Sequence, residues 1–473
     1  MSRLLILVFS LFCWGNIQAQ HYMIFGAVDY GGKNSDGIIY SYDPVSNIET
    51  KVYDFNGAQG SYPNNVMLSF DGSLYGGTTY GGTKGLGVLF QYNYYSNAIN
   101  ILVNSDSAIG AVPGGYLVKA NNGLLYGMTS TGGTDKSGVI FCYNILKPGT
   151  DSVVFDFDTI SGYRPDGNLI IDTSTGFLYG LADNGGLYKK GTLFSFNPKN
   201  GKDSVLINFD SINGSMPVGS YIVQASNGMI YGMTSAGGSS NDGVLFRYNP
   251  KTGQDTVIVN FNGTNGQRPW CNNLIQASDG LLYGMTAQGG TSGNGVLFSL
   301  NPLTNVYSLL STFFGSNGGN PAYGTLVQNP DDSLLYGTTE GGGKYSKGVL
   351  FGYNIKTGIE TVIHSFSGNP DGENPFFGPT LVKDSLVGIN EVFSNNDIRV
   401  YPNPSYNIFY FETQNNESAV DIYNVLGEKV YSTFNIQHLT FSIDLSNEPS
   451  GIYIYKITDK SGMPIANGKL LKE

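Results

Sequence analysis

The stretch Leu282-Tyr283-Gly284-Met285-Thr286, continued by Gly289-Gly290, Gly295-Val296-Leu297-Phe298 and Asn301-Pro302, decides the fold. It contains two short apolar runs bearing aromatics, a glycine-rich loop between them and a turn dipeptide at the end, the pattern of successive strands joined by tight turns. The same order recurs at Tyr231-Gly232 with Gly243-Val244-Leu245-Phe246, and at Tyr126-Gly127 with Gly138-Val139-Ile140-Phe141. Further copies stand at Tyr75-Gly76, Tyr179-Gly180 and Tyr336-Gly337, and a weaker one at Phe25-Gly26 with Gly37-Ile38-Ile39-Tyr40. The aromatics lie at 25, 75, 126, 179, 231, 283 and 336, in steps of 50 to 53 residues. From each aromatic to the glycine that opens the next apolar run is 12 residues in all seven copies. A loop that keeps its length seven times is held in one geometry.

Each unit reads as four strands, in the fifth full unit Asn273 to Ala277, Leu281 to Thr286, Val296 to Leu300 and Val306 to Phe313. A glycine directly after the aromatic, inside a strand, predicts a close approach or a bulge. Four strands in about 50 residues is the size of a kelch-type propeller blade. The first unit starts at its second strand (Tyr22 to Val28). The missing strand returns at Gly378-Pro379-Thr380-Leu381-Val382 after Asn374-Pro375, a copy of Gly167-Asn168-Leu169-Ile170 after Arg164-Pro165. The expectation is an all-β chain: a seven-bladed β-propeller closed by a blade shared between both ends, with no sheet edge left open. An open β-solenoid is the alternative, and it would not require the two ends to complement each other.

Composition agrees. Charged residues are 13% of the chain, about half the usual ~25%, and Gly (66 of 473) is roughly twice its usual ~7%. Arg3 precedes an apolar run from Leu4 to Trp14 and a small residue at Ala19, which predicts a signal peptide over 1–19. Leu11-Phe12 before Cys13 does not suit a lipid anchor, and no later stretch is apolar enough to span a bilayer as a helix. Removing Arg3 takes the net charge from −11 to −12, which disfavours nucleic acid and anionic membrane as partners. Cys142 and Cys271 make no disulfide framework and are expected as buried thiols.

The units resemble the GloVer tandem repeat family, through the Leu-Tyr-Gly-x-Thr, Gly-Gly-Thr, Gly-x-Leu-Phe and Asn-Pro series, over about Gln20 to Glu391. Phe25 and Ala182 depart from the pattern. The resemblance supports the array and brings no catalytic residue with it. After a linker over 392–397, residues 398–473 alternate as the short strands of a small immunoglobulin-like sandwich. This segment is similar to the type IX secretion sorting domain of Gram-negative bacteria. Four stretches carry the likeness: Tyr401-Pro402-Asn403-Pro404, Ile422-Tyr423-Asn424-Val425-Leu426-Gly427, Gly451-Ile452-Tyr453 and Lys469-Leu470-Leu471-Lys472. The resemblance implies export by the type IX machinery to the medium or the outer-membrane surface. A generic adhesive sandwich is the alternative.

Chemistry is sparse. The three histidines, His21, His364 and His438, form no metal-binding spacing, no Gly-x-Ser-x-Gly elbow exists, and no glycine loop heads a helix. No cofactor, metal or catalytic residue is expected. Asn369-Pro370-Asp371-Gly372 reads as a turn. One feature stands apart. The fifth residue of each Tyr-Gly copy varies (Asp29, Thr79, Ser130, Asp183, Ser235, Ala287, Glu340), as does the sixth, which includes Tyr30 and Tyr80. In a closed ring these positions share one face, Glu340 falls beside Asp29, and Tyr30 and Tyr80 are adjacent. Carboxylates beside tyrosines suit a sugar, by hydrogen bonding and ring stacking. Variable polar loop positions facing water are the plain alternative. The candidate ligand residues are Asp29, Tyr30, Tyr80, Asp183 and Glu340. The expected function is a non-catalytic surface or secreted binding protein for an extracellular glycan or protein. A carbohydrate-active propeller (glycosidase or lyase) and a structural surface component are the alternatives.

Overall fold

The computed structural model describes residues 21–64, 73–94, 96–107, 110–144, 147, 149–270, 273–330, 332–375, 377–384, 399–401, 403–412, 418–424, 428–436, 440–458 and 464–472. The expected signal peptide, Cys271, the linker over 392–397, Pro402, Gly427 and His438 lie outside the described residues. Contacts divide the chain into two compact units, between Ser385 and Leu386. Among the described residues both units are built of antiparallel strands without helices.

In the fifth full unit the strands are Leu274–Gln276, Leu282–Thr286, Val296–Leu300 and Tyr307–Thr312, each within about a residue of expectation. The first unit of the molecule contains seven four-stranded sheets among the described residues, six of them made from consecutive strands. In the seventh, His21–Val28 pairs with Phe377–Asp384, Ile24 opposite Leu381 and Phe25 opposite Thr380, so the two ends of the array share one sheet.

The recurring motif has a direct physical cause. The glycine after the aromatic lies opposite the aromatic that ends the next apolar run: Gly232 opposite Phe246, Gly284 opposite Phe298, Gly337 opposite Phe351. A Cβ at Gly284 would stand 2.7 Å from Phe298 Cζ, so only glycine leaves room for the ring across the strand. The glycine-glycine loop keeps its length because one side chain at the end of the outer strand holds it. Thr83 N–H donates to Asn104 Oδ1 (2.9 Å) and Ser239 N–H to Asn260 Oδ1 (2.8 Å).

Neighbouring sheets meet through a second repeated aromatic. Phe55, Phe157, Phe209, Phe261 and Phe313 each pack on the glycine-crossing ring of the following sheet, with centroids 5.0 to 5.8 Å apart. At the shared sheet Phe366 meets Tyr40 at 5.3 Å, the same contact returning to the start of the array. Such ring pairs contribute about 0.5–1.5 kcal/mol each beyond burial. At one seam Ser105 replaces the phenylalanine, and a cavity of about 20 Å³ remains among Leu89, Val103, Ser105, Pro113 and Phe141. Cys142 is a buried free thiol.

The second unit comprises a three-stranded sheet (Arg399–Tyr401, Ile408–Glu412, Thr440–Asp444) and a four-stranded one (Lys429–Ile436, Ser418–Asn424, Gly451–Thr458, Pro464–Lys472). They enclose Phe409, Phe411, Val420, Ile422, Ile443, Ile457 and Leu470. The residues that carried the sorting-domain resemblance tie the start of this unit to its last strand. Asn403 Nδ2 donates to Lys469 O (2.7 Å), and its Oδ1 accepts from Leu471 N–H (2.8 Å). Pro404 follows Asn403 through a cis bond. Tyr453 donates to Pro449 O (2.6 Å), Gly451 opens the strand that pairs with the last, and Tyr401 stacks on Tyr410.

Candidate ligand-binding face

Seven X-Pro steps, of which only Arg164-Pro165 and Asn374-Pro375 figured in the sequence reading, set the geometry of one end of the array. The residue before each proline is left-handed in all seven: Tyr62, Val112, Arg164, Met216, Arg268, Asn320 and Asn374, with φ between 48° and 57°. Non-glycine residues rarely occupy this region, so neighbouring sheets must hold them there. Tyr62 N–H donates to Asp36 O (2.9 Å), Arg164 N–H to Ser137 O (2.9 Å) and Asn320 N–H to Asn294 O (2.8 Å). The same residues accept from the fifth position of the Tyr-Gly copy: Asp183 N–H to Arg164 O (3.1 Å), Glu340 N–H to Asn320 O (3.1 Å). The Asp183 and Glu340 side chains therefore stand beside those of Arg164 and Asn320.

The fifth positions do not all face water. Ser130, Asp183, Ser235 and Ala287 are buried; the backbone bonds just described draw the chain in. Asp29 and Glu340 are brought together as the ring argument anticipated: the Glu340 charge acts on Asp29, second to burial, in holding its carboxyl well above the usual range. Asp29 Oδ1 is buried without a hydrogen-bond partner. Glu340 Oε2 accepts from Asn320 Nδ2 (2.6 Å), and burial raises its carboxyl too.

Tyr30 and Tyr80 do not touch each other directly. Tyr62 stands between them, edge-on to Tyr30 at 4.9 Å and to Tyr80 at 5.5 Å. Tyr30 and Tyr80 are 36% and 55% exposed, so the row presents aromatic surface to solvent. Burial, then the Asp29 charge, raises the Tyr30 hydroxyl.

Asp183 belongs to a different pair. Its partner is Asp166, which the sequence reading passed over, although Asp166 follows Arg164-Pro165 as the first residue after the proline. Burial and the Asp166 charge push Asp183 well above the usual range. Burial also raises Asp166, against the opposing effects of Arg164 and a Ser130 hydrogen bond. Arg164 reaches Asp166 Oδ2 at 3.3 Å, and Gly219 N–H donates to Asp183 Oδ1 at 3.2 Å.

Comparison with known proteins supplies the rest. Residues 13–175 and 166–400 match the Gloeobacter/Verrucomicrobia repeat. The chain belongs to that repeat family. Residues 399–471 match the secretion system C-terminal sorting domain. This repeat protein is therefore exported by the type IX route to the cell surface or extracellular space of a Gram-negative bacterium. No helix among the described residues is long and apolar enough to cross a membrane. No curated protein matches the chain.

Among solved structures, a putative 6-phosphogluconolactonase from Bacteroides fragilis is similar at 14% identity and TM-score 0.53, over 78% of this chain and 99% of its own. One from Bacteroides uniformis is similar at 13% and 0.52, over 77% and 100%. A protein from Lactobacillus plantarum is similar at 15% and 0.51, over 77% and 100%. At these identities the likeness concerns the fold alone, an all-β, propeller-like array of four-stranded sheets.

Proposed function

We propose that the mature protein is a type IX cargo in which a closed seven-bladed propeller over 20–391 binds an extracellular glycan without turning it over. In this reading residues 1–19 are a cleaved signal peptide, 392–397 a linker, and 398–473 an immunoglobulin-like sorting domain handled by the secretion machinery. The observation that carries the binding role is the Tyr30–Tyr62–Tyr80 row standing with the Asp29–Glu340 pair. Exposed ring faces stack on the apolar face of a sugar, while buried carboxyl oxygens short of donors take hydroxyl hydrogens. The pair is acidic and offers acceptor oxygens, so it suits a neutral polyol, which brings hydroxyl donors, better than an anion.

The test is a glycan array probed with the full mature chain, followed by retention of the captured class on Tyr62→Ala protein. Retention of one sugar class that Tyr62→Ala abolishes supports the reading. A blank array rejects the glycan. Release of reducing ends or unsaturated sugar from the bound class rejects the non-catalytic part.

A further inference from the structure

The closing seam carries a cluster that the binding face does not use. Glu49 lies on the outermost strand of the shared sheet (Ile48–Asp54), and His364 on the facing strand of the preceding sheet (Ile359–Ser365). Asp371 lies in the loop that leads to the closing strand. One nitrogen, His364 Nε2, stands 3.2 Å from Asp371 Oδ2 and 3.9 Å from Glu49 Oε2, and the three ligand atoms all lie within 4.8 Å of one another. Glu49 keeps 11% of its side chain exposed, and its Oε1 is buried without a hydrogen-bond partner. Above it, the fully buried Tyr40 hydroxyl also has no partner, and the Glu49 charge acts on it.

We propose that Glu49, His364 and Asp371 bind one divalent transition-metal ion of the zinc class across the seam where the array closes. An imidazole nitrogen and two carboxylates suit such an ion, with a fourth position left for water. With metal–ligand bonds of about 2.0–2.1 Å, neighbouring donors in a tetrahedral site stand about 3.3 Å apart, and the two nitrogen–oxygen separations straddle that figure. The two carboxylates also cancel the charge of a divalent ion.

The preceding seam shows what this position looks like without the donor set. There Glu360 is met by Ser311, at the strand position His364 occupies at the closing seam, and by the Asn317 amide, so a hydroxyl and an amide stand in place of an imidazole and second carboxylate. Glu360 Oε1 is likewise unpartnered, which makes Glu360 the internal control. A bound ion would link Glu49 of the shared sheet to two residues of the last full unit, fastening the ends of the chain by mass action.

The experiment titrates the EDTA-stripped mature chain with Zn²⁺ alone by calorimetry, and with Co²⁺ for its visible absorption. The expected result is one equivalent bound, weakened at least tenfold by His364→Gln and by Asp371→Asn and unchanged by Glu360→Gln. Thermal melts with and without Zn²⁺ give a second readout: the ion raises Tm of the wild type and of Glu360→Gln only. Absence of saturable binding by the wild type, or affinity unaltered in both ligand variants, overturns the proposal.

Discussion

Two pairs of carboxyls stand at one end of the array, one between the fifth positions of two units (Asp29 and Glu340), the other between a fifth position and the post-proline residue of a single unit (Asp183 and Asp166), and they are furnished differently. Asp166 and Asp183 have a guanidinium, a serine hydroxyl and a backbone N–H among their partners, although Asp183 Oδ2 is itself buried without one. Asp29 and Glu340 have one amide, from Asn320 to Glu340, while Asp29 Oδ1 has no donor; the exposed tyrosine row stands beside them. A pair supplied with counter-charge holds its own loops together. In the proposed reading it is the exposed tyrosine row beside Asp29 and Glu340 that marks this pair for a ligand from outside. On that reading one repeat geometry carries an acidic pair that holds its loops and another proposed for recognition.

The largest effect on stability is expected from Arg164→Ala, which removes the counter-charge from the furnished pair. It should destabilise the fold by up to about 1 kcal/mol at pH 7, because the guanidinium is more than half exposed, with less loss near pH 4, and leave ligand retention unchanged; urea melts at the two pH values check it. Asp29→Asn should do the reverse at the other pair. Because the Asp29 carboxyl is raised in the folded protein, the folded state holds its proton more tightly, and stability falls as pH rises from about 4, the unfolded value. The variant should be more stable by about 1 kcal/mol at pH 7, with the difference gone below about pH 4, as a pH series of melts would show. Ser105→Phe, which touches neither pair, restores the missing seam ring over the 20 Å³ cavity. It should add about 0.5 kcal/mol and leave ligand retention unaltered, so stability and binding can be moved separately.

Much of the repeat was legible because it is written in local spacing. Gly284 and Phe298 are paired by a strand register that the sequence repeats, and the terminal strand at 378–382 could be recognised as a copy. The site was half legible. Asp29 beside Glu340 followed from ring arithmetic, but Tyr62 between Tyr30 and Tyr80 did not, because it enters from the short first strand of the neighbouring sheet, Ser61–Pro63. The signal that could have found it, and Asp166 with it, was the proline in every unit: Tyr62, Arg164 and Asn320 all precede one. His364 and Asp371 lie seven residues apart in one unit, but Glu49 meets them only across a seam between sheets, and no spacing along the chain records that contact.

The direct test of the central claim is to compare Asp29→Asn with Asp183→Asn for retention of the glycan captured by the wild-type mature chain. The account predicts that Asp29→Asn loses tenfold or more in affinity, while Asp183→Asn binds as the wild type does. Equal retention by both, or loss only in Asp183→Asn, would contradict the assignment of the Asp29–Glu340 pair and its tyrosine row as the recognition site.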